Sequence, residues 1–289
     1  MDIQSLSIVV PGTKCINNCK FCVSRTHEDI IYDDYINDLI SVPNNLSYFE
    51  GCYNQALHYA KDLGCTTLML TGECEPQQNK EFLDWFFIRT DAKNLFHNIE
   101  IQTTGAGLTE TDILRLRRRG VNAFSISMSS FDSTRNSEII NEKRKLIHLD
   151  WLTSRIKASG SLLRLSLNLN KEFYQYSPEE LFKKAKELGA DQVTLRKLYK
   201  CPRACPQNDW IEGNCDSLKD EEYFNYVKIC GKPLERLPYG NIKYSVDGAG
   251  VVADGDCMAK ENVNEIRYLI LRPDCHLYTR WDDPASIIF

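Results

Sequence analysis

Short apolar runs alternate with longer amphipathic stretches along the first two hundred residues, the pattern of successive βα units laid around a parallel sheet. The spacing predicts six strands, over 6–10, 66–70, 99–103, 123–128, 162–169 and 192–198. Three connecting helices can be read from their ends. One over 54–63 stops at Gly64, one over 109–119 has Thr109 and Asp112 at capping-box spacing and closes on Gly120, and one over 177–188 opens with Ser177-Pro178 and closes on Gly189. A hydroxyl at the first position satisfies orphan amides, and glycine past the last turn takes a backbone conformation that a Cβ resists. The fifth strand, LLRLSLNLN, sets leucines on one face and Arg164, Ser166, Asn168 and Asn170 on the other, because successive side chains of a strand alternate. A packed barrel fills with branched apolar residues, so this polar face reads as the lining of a cavity.

The fold class expected is therefore α/β, a partial (β/α)6 parallel barrel over residues 1–200 with a small C-terminal β-rich extension over 201–289. After Tyr199 the texture changes. Cys201, Pro202, Cys205 and Pro206 stand close together, and short strands are expected over 239–246, 251–252, 267–271 and 277–278. The extension reads as a cap that shapes a substrate site at the barrel mouth.

Of the 289 residues 43% are hydrophobic and 26% charged, enough apolar material to close a substantial core. Lys and Arg number 35 against 40 Asp and Glu, a net charge of −5 that gives no global attraction to phosphate backbones. Nucleic acid is accordingly not an expected partner. The run Arg115-Leu116-Arg117-Arg118-Arg119 reads as the last turn of a helix, where positive charge suits the dipole, and no aromatic residue is interleaved to stack a base. No stretch approaches the roughly 18 apolar residues of a membrane span, and the opening MDIQSLSIVVPGTK lacks the regions of a secretory signal. The expected location is cytoplasmic. Twelve cysteines in that compartment point to metal binding or chemistry before disulfides.

Three of them carry the strongest signal. Cys15-Ile16-Asn17-Asn18-Cys19-Lys20-Phe21-Cys22 places them at C-x3-C-x2-C spacing directly after the first strand. Soft thiolates favour zinc or iron–sulfur clusters, and a four-iron cube wants four ligands, so three cysteines leave one iron open to a non-protein ligand. Zinc is the competing reading, because Cys19, Cys22 and His27 begin like a zinc knuckle. Its fourth ligand would fall at Tyr32, which cannot serve. A zinc-binding interaction protein is thus the alternative from another class. Three merely buried cysteines would need no such spacing.

The segment CINNCKFC resembles the signature of the radical S-adenosylmethionine (radical SAM) enzymes, and the likeness extends over roughly residues 5–200. The resemblance implies that Cys15, Cys19 and Cys22 hold a 4Fe-4S cluster, that S-adenosyl-L-methionine chelates the fourth iron, and that Phe21 sits beside the adenine. After the second strand, Thr71-Gly72-Glu73-Cys74-Glu75-Pro76 is similar to the family's Gly-Gly-Glu-Pro segment that receives the methionyl ammonium, with Cys74 in a usual glycine position. Gly72, Glu73 and Glu75 are the cofactor-binding residues this implies. A carboxylate and exposed carbonyls are suitable acceptors for a buried ammonium. Thr103-Thr104-Gly105 resembles the family's Thr-Asn-Gly segment and brings Thr104 to the same site. Ser127, Asn168 and Arg196, on the fourth to sixth strands, are expected to meet a carboxylate, ribose or phosphate, the competing reading for each being a locally satisfied side chain.

The function implied is reductive cleavage of S-adenosylmethionine to a 5′-deoxyadenosyl radical, which abstracts hydrogen from a small metabolite or nucleotide. A peptide or a tRNA nucleoside is the alternative substrate, and an external low-potential electron donor of flavodoxin or ferredoxin type is the implied partner. Cys257, within Asp254-Gly255-Asp256-Cys257-Met258, is the candidate catalytic residue, a thiol placed to return hydrogen to a carbon radical. Ordinary turn chemistry beside a buried cysteine is the other reading of that segment. Cys201 and Cys205 with Cys215 or Cys230 could assemble an auxiliary cluster, although their spacing does not match the common cysteine-dense arrangements.

Overall fold

A computed structural model describes residues 3–12, 14–26, 43–140, 146–202, 204–237, 241–254, 266, 268–281, 283 and 285–288. Six strands, β1 (Ser5–Val9), β2 (Thr67–Thr71), β3 (Asn98–Thr103), β4 (Ala123–Met128), β5 (Leu162–Asn168) and β6 (Gln192–Arg196), lie side by side in chain order and pair in parallel. The connecting helices are α1 (Pro43–Asp62), α2 (Lys80–Arg89), α3 (Ala92–Leu95), α4 (Glu110–Arg119), α5 (Ser133–Ile140), α6 (Leu149–Ala158) and α7 (Pro178–Glu187). The expected caps form. Thr109 and Asp112 make a reciprocal capping box on α4, Ser177 and Glu180 make another on α7, and Gly120 closes α4 at φ 127°. Helix α1 begins earlier than its predicted start at residue 54, because its buried stripe of Phe49, Tyr53, Ala56, Leu57 and Ala60 already has helical spacing upstream of that point.

Strand alternation sorts the sheet into two unlike faces. Leu6, Ile8, Leu68, Leu70, Phe124, Leu163 and Leu165 are fully buried in the main apolar core. The other face looks into an open lumen of about 1110 Å³ lined by Ser7, Thr67, Gln102, Arg164, Thr194 and Arg196 among others. Deep in it Glu100, 2% exposed, is ion-paired with Arg164, whose Nε and Nη2 also donate to Gln192 Oε1 at 2.9 and 2.6 Å. Arg164 is thus a satisfied structural pair. The basic run on α4 is likewise engaged, with Arg115 and Arg119 each 2.9 Å from Asp84 of α2.

Past residue 200 the chain differs from the β-rich expectation, since two helices, α8 (Pro206–Asn214) and α9 (Ser217–Cys230), come first. The cause is local. Asp216 accepts from Leu218 N at 2.9 Å, and Asp220, Tyr223, Phe224 and Val227 form a buried stripe at helical spacing. The strands β7 (Lys232–Arg236), β8 (Ile242–Val246), β9 (Ala249–Asp254), β10 (Tyr268–Leu271) and β11 (Leu277–Tyr278) follow. They extend both edges of the six-stranded core. β9 pairs in parallel with β6 and β10 in parallel with β1, giving one open sheet of eleven strands in the order β11-β10-β1-β2-β3-β4-β5-β6-β9-β8-β7. Among the described residues no helix is long and apolar enough to cross a membrane.

Candidate functional site

The carboxyl ends of β1, β2 and β3 meet at one end of the lumen. Gly72 follows β2 where the chains run closest, and a Cβ there would stand 2.9 Å from the Val10 carbonyl oxygen. Only glycine fits that approach without displacing backbone. Beyond Val10 the chain leaves the sheet as a loop that carries Cys15, Cys19 and Cys22, and side chains from the segment after β2 fix it in place. Gln78 Oε1 accepts from Ile16 N at 2.8 Å while its Nε2 donates to Lys14 O at 2.9 Å, and Asn79 Nδ2 donates to Pro11 O at 3.1 Å. On the far side Asn18 N and Lys20 N donate to the Ile140 and Ile139 carbonyls at the end of α5. A loop without repetitive structure is thereby held at both flanks.

Glu75 is the hub of this arrangement. Its carboxylate, 7% exposed, accepts from Asn17 Nδ2 at 2.6 Å, Gln77 Nε2 at 2.9 Å, Thr104 N at 3.0 Å, Thr104 Oγ1 at 2.7 Å and, in a short contact, Thr103 Oγ1. All five donors are neutral. Among the described residues no lysine or arginine stands within ion-pair distance of it. Asn17 Oδ1 is buried with no hydrogen-bond partner, an acceptor left over at the point where the cysteine loop touches the hub.

Two of the three thiols, Cys15 and Cys19, resist ionisation. Burial pushes Cys19 well above the usual cysteine range, and the neighbouring Cys22, Glu75 and Cys15 add to the effect while Arg25 opposes it. Burial also raises Cys15, with Glu75 and Cys22 contributing. Cys74 is pushed up to about 12 by burial, Cys15 and Glu73; its Sγ lies 3.5 Å from the Gly12 carbonyl oxygen. Thiols that sense one another in this way become thiolates together only around a cationic centre. Among the described residues no three cysteine, histidine, aspartate or glutamate side chains are drawn in to metal-ligating distance. The donor set itself, three soft ligands on one loop with Cys74 on a separate segment, fits an iron–sulfur cube with one iron left over.

The remaining residues singled out from the sequence fall into separate groups. Gly72, Glu73 and Arg196 line the lumen, and Arg196 Nε is buried without a hydrogen-bond partner. Ser127 Oγ accepts from Asn168 Nδ2 at 3.0 Å, a pair that joins the ends of β4 and β5. Phe21 packs against Trp210 of α8, with ring centroids 5.6 Å apart, and against Ile139 and Ile211. Cys257 and His27 lie outside the described residues. Four contributors were not read from the sequence: Asn17, Gln78, Glu100 and Arg272. The run of amides Gln77-Gln78-Asn79 just after a strand end was a usable signal. Arg272, directly after the apolar β10, was another; it is 1% exposed, reaches Glu73 at 3.4 Å, donates to Trp281 O at 2.8 Å and lies over the Tyr278 ring.

No family model and no curated protein matches the sequence. Solved structures do. SuiB from Streptococcus suis bound to S-adenosylmethionine aligns with a TM-score of 0.58 and 14% identity, over 97% of this chain and 60% of that one. HydG, a maturase of the [FeFe]-hydrogenase, gives 0.51 and 13%, over 78% of this chain and 48% of that one. Coproporphyrinogen III oxidase (HemN) from Escherichia coli, a radical SAM enzyme, gives 0.50 and 12%, over 88% and 63%. The chain spans about three fifths of the length of the SuiB chain. With its six parallel core strands, unclosed sheet and cysteine loop at the carboxyl end of β1, the chain has the fold of the radical SAM enzymes.

Proposed function

We propose that the chain is a radical SAM enzyme whose cluster is held by Cys15, Cys19 and Cys22. One observation carries the reading: three thiols at C-x3-C-x2-C spacing sit on a single loop pinned by Gln78 and Asn79 and followed directly by Val23 and Ser24 of the lumen wall. When bound, the cluster supplies the electron that splits the sulfonium carbon–sulfur bond of S-adenosylmethionine, yielding methionine and a 5′-deoxyadenosyl radical that removes hydrogen from a substrate carbon.

The protein's own part is orientation and exclusion of water. Glu75, Gln78 and Asn79 fix the loop, so that the three sulfurs are presented in one place. Gly72 and Glu73 offer backbone carbonyls and a carboxylate at the lumen mouth, acceptors for the ammonium of the nucleotide. Thr104 is bound to the Glu75 carboxylate through both its amide and its hydroxyl, which fixes the third strand end against the loop. Arg196, with its buried unpartnered Nε, is the group suited to a carboxylate or phosphate inside the lumen, and Ser127 with Asn168 supplies neutral polar contacts nearby. A cavity of about 1110 Å³ is large for one small ligand, since drug-sized sites span roughly 300–1,000 Å³. It has room for the nucleotide and a small metabolite or second nucleotide together. A peptide substrate is the second reading, favoured by the likeness to SuiB, one structure of which is bound to the precursor peptide SuiA. Electrons come from an external low-potential donor of flavodoxin or ferredoxin type.

The test is anaerobic reconstitution with iron and sulfide, then reduction in the presence of S-adenosylmethionine. The expected result is iron–sulfur absorption and release of 5′-deoxyadenosine, both lost in a Cys15, Cys19 and Cys22 triple alanine variant. Stoichiometric zinc without iron or sulfide would instead support the interaction module.

A further inference from the structure

Away from the cysteine loop the molecule holds a second thiol arrangement that the proposed reaction leaves unused. Cys201 and Cys205 stand after β6, and their Sγ atoms are 3.4 Å apart, against the ~2.05 Å of a formed disulfide. Both are thiols here. Their closeness has a structural cause. Cys205 is the residue that opens α8, so its carbonyl accepts from Asn208 N at 3.0 Å in the first turn. Asn208 then reaches back with its side chain, accepting from Cys201 N at 3.0 Å through Oδ1 and donating to Cys201 O at 2.9 Å through Nδ2. One amide thus clamps the Cys201 backbone onto the turn that begins at Cys205. The pair is also unequal in access, since Cys201 is 6% exposed and Cys205 is half-buried.

We propose that Cys201 and Cys205 form a redox-active dithiol that exchanges with low-molecular-weight disulfides. Cys205, the accessible member, attacks one sulfur of the incoming disulfide as thiolate; the old sulfur–sulfur bond breaks, one small thiolate leaves and takes up the Cys205 proton, and a mixed disulfide remains. Cys201 then loses its proton and attacks Cys205 Sγ, expelling the second small thiol and closing the internal disulfide. Two protein thiols are oxidised by two electrons and one disulfide is reduced to two thiols. The clamp through Asn208 holds the resolving sulfur against its target before the reaction begins, which is what makes the second step intramolecular. The site lies on a helix that supports the cysteine loop, because Trp210 and Ile211 of α8 pack against Phe21. It does not depend on the radical SAM reading.

The experiment uses the full chain without oxygen, equilibrated in glutathione buffers of rising disulfide content, quenched in acid, alkylated, digested and weighed. Cys201 and Cys205 are expected to disappear from the alkylated pool together, as a linked pair of peptides lighter by two hydrogens, at a disulfide fraction about tenfold or more below that which modifies exposed Cys230. In Cys201→Ser, Cys205 is expected to accumulate as its glutathione adduct under the same conditions. Separate adducts on the two residues of the unaltered chain, or oxidation no easier than at Cys230, overturns the proposal. So does iron in the purified chain that is lost specifically in Cys201→Ser and Cys205→Ser.

Discussion

Glu75 and Glu100 are buried carboxylates of the same barrel, 7% and 2% exposed, and they are neutralised in opposite ways. Glu100, deep in the lumen, has the guanidinium of Arg164 against it. Glu75, beside the cysteine loop, has only neutral donors from Asn17, Gln77, Thr103 and Thr104. An ion pair cancels the charge, whereas hydrogen bonds alone localise it. The first is a construction detail of the wall, and the second is a carboxyl with no cationic partner among the described residues, tied to the cysteine loop through Asn17.

The comparison can be broken by substitution, beginning where the effect is largest. Arg164→Leu should cost about 3–5 kcal/mol in chemical denaturation, because Glu100 is left buried without its cationic partner. Glu100→Leu combined with Arg164→Leu should recover most of that, and no recovery would mean the pair is not the unit described. Glu75→Gln removes no cationic partner and should cost only about 1–3 kcal/mol, through mismatched donors around the new amide. Its main effect should be on iron retained per chain after anaerobic reconstitution, which is expected to fall several-fold while Glu100→Gln leaves it unchanged. Equal iron in the two variants would remove the distinction drawn here.

Asp220 sharpens the same contrast. It is 1% exposed, takes one hydrogen bond from Tyr174 Oη at 2.8 Å, and burial raises its carboxyl to about 6, with the Tyr174 hydrogen bond and Lys197 opposing. A folded-state value above the unfolded one means that its contribution to stability is full below about pH 4 and is lost as pH rises through about 6. Asp220→Asn should therefore flatten the stability profile between those limits and raise stability at pH 8 by about 1–3 kcal/mol, read from urea midpoints at each pH. The smallest effect belongs to Glu73→Gln. Its ion pair with Arg272 is half-exposed on the Glu73 side, so the melting temperature should move by no more than the equivalent of about 0.5 kcal/mol, whereas binding of a cationic ligand at the mouth should weaken measurably in equilibrium dialysis with S-adenosylmethionine.

The strands were the most legible part of the sequence, because leucine and isoleucine at alternate positions facing helices, with serine, threonine and arginine between them, leave a period of two that little else produces. The capped helices α4 and α7 were legible for the same kind of reason, each carrying its start signal and its glycine. Helix α2 was not. Phe82, Leu83, Trp85, Phe86 and Phe87 are all buried and its outer face of Lys80, Glu81, Asp84 and Ile88 includes an exposed apolar residue, so the period is blurred. In the site, the cysteines announced themselves by spacing, but the residues that position them did so only weakly. Asn17 and Gln78 act through single amides whose partners are about sixty positions away in the chain, and no local pattern encodes that meeting. The pairing of Glu100 with Arg164 was hidden for the same reason. The packing of the Phe21 ring with Trp210, Ile139 and Ile211 was hidden in the same way, since Trp210 and Ile211 lie far along the chain.

The pairing of β10 with β1 also bears on how the protein comes off the ribosome. Ser5–Val9 finds its outer neighbour only in Tyr268–Leu271, so its rim stays unprotected during synthesis until that distant strand has emerged. During that interval its free amides and carbonyls invite pairing with other nascent polypeptides, and slowing synthesis between β6 and β10 should prolong the hazard and lower the yield of folded product.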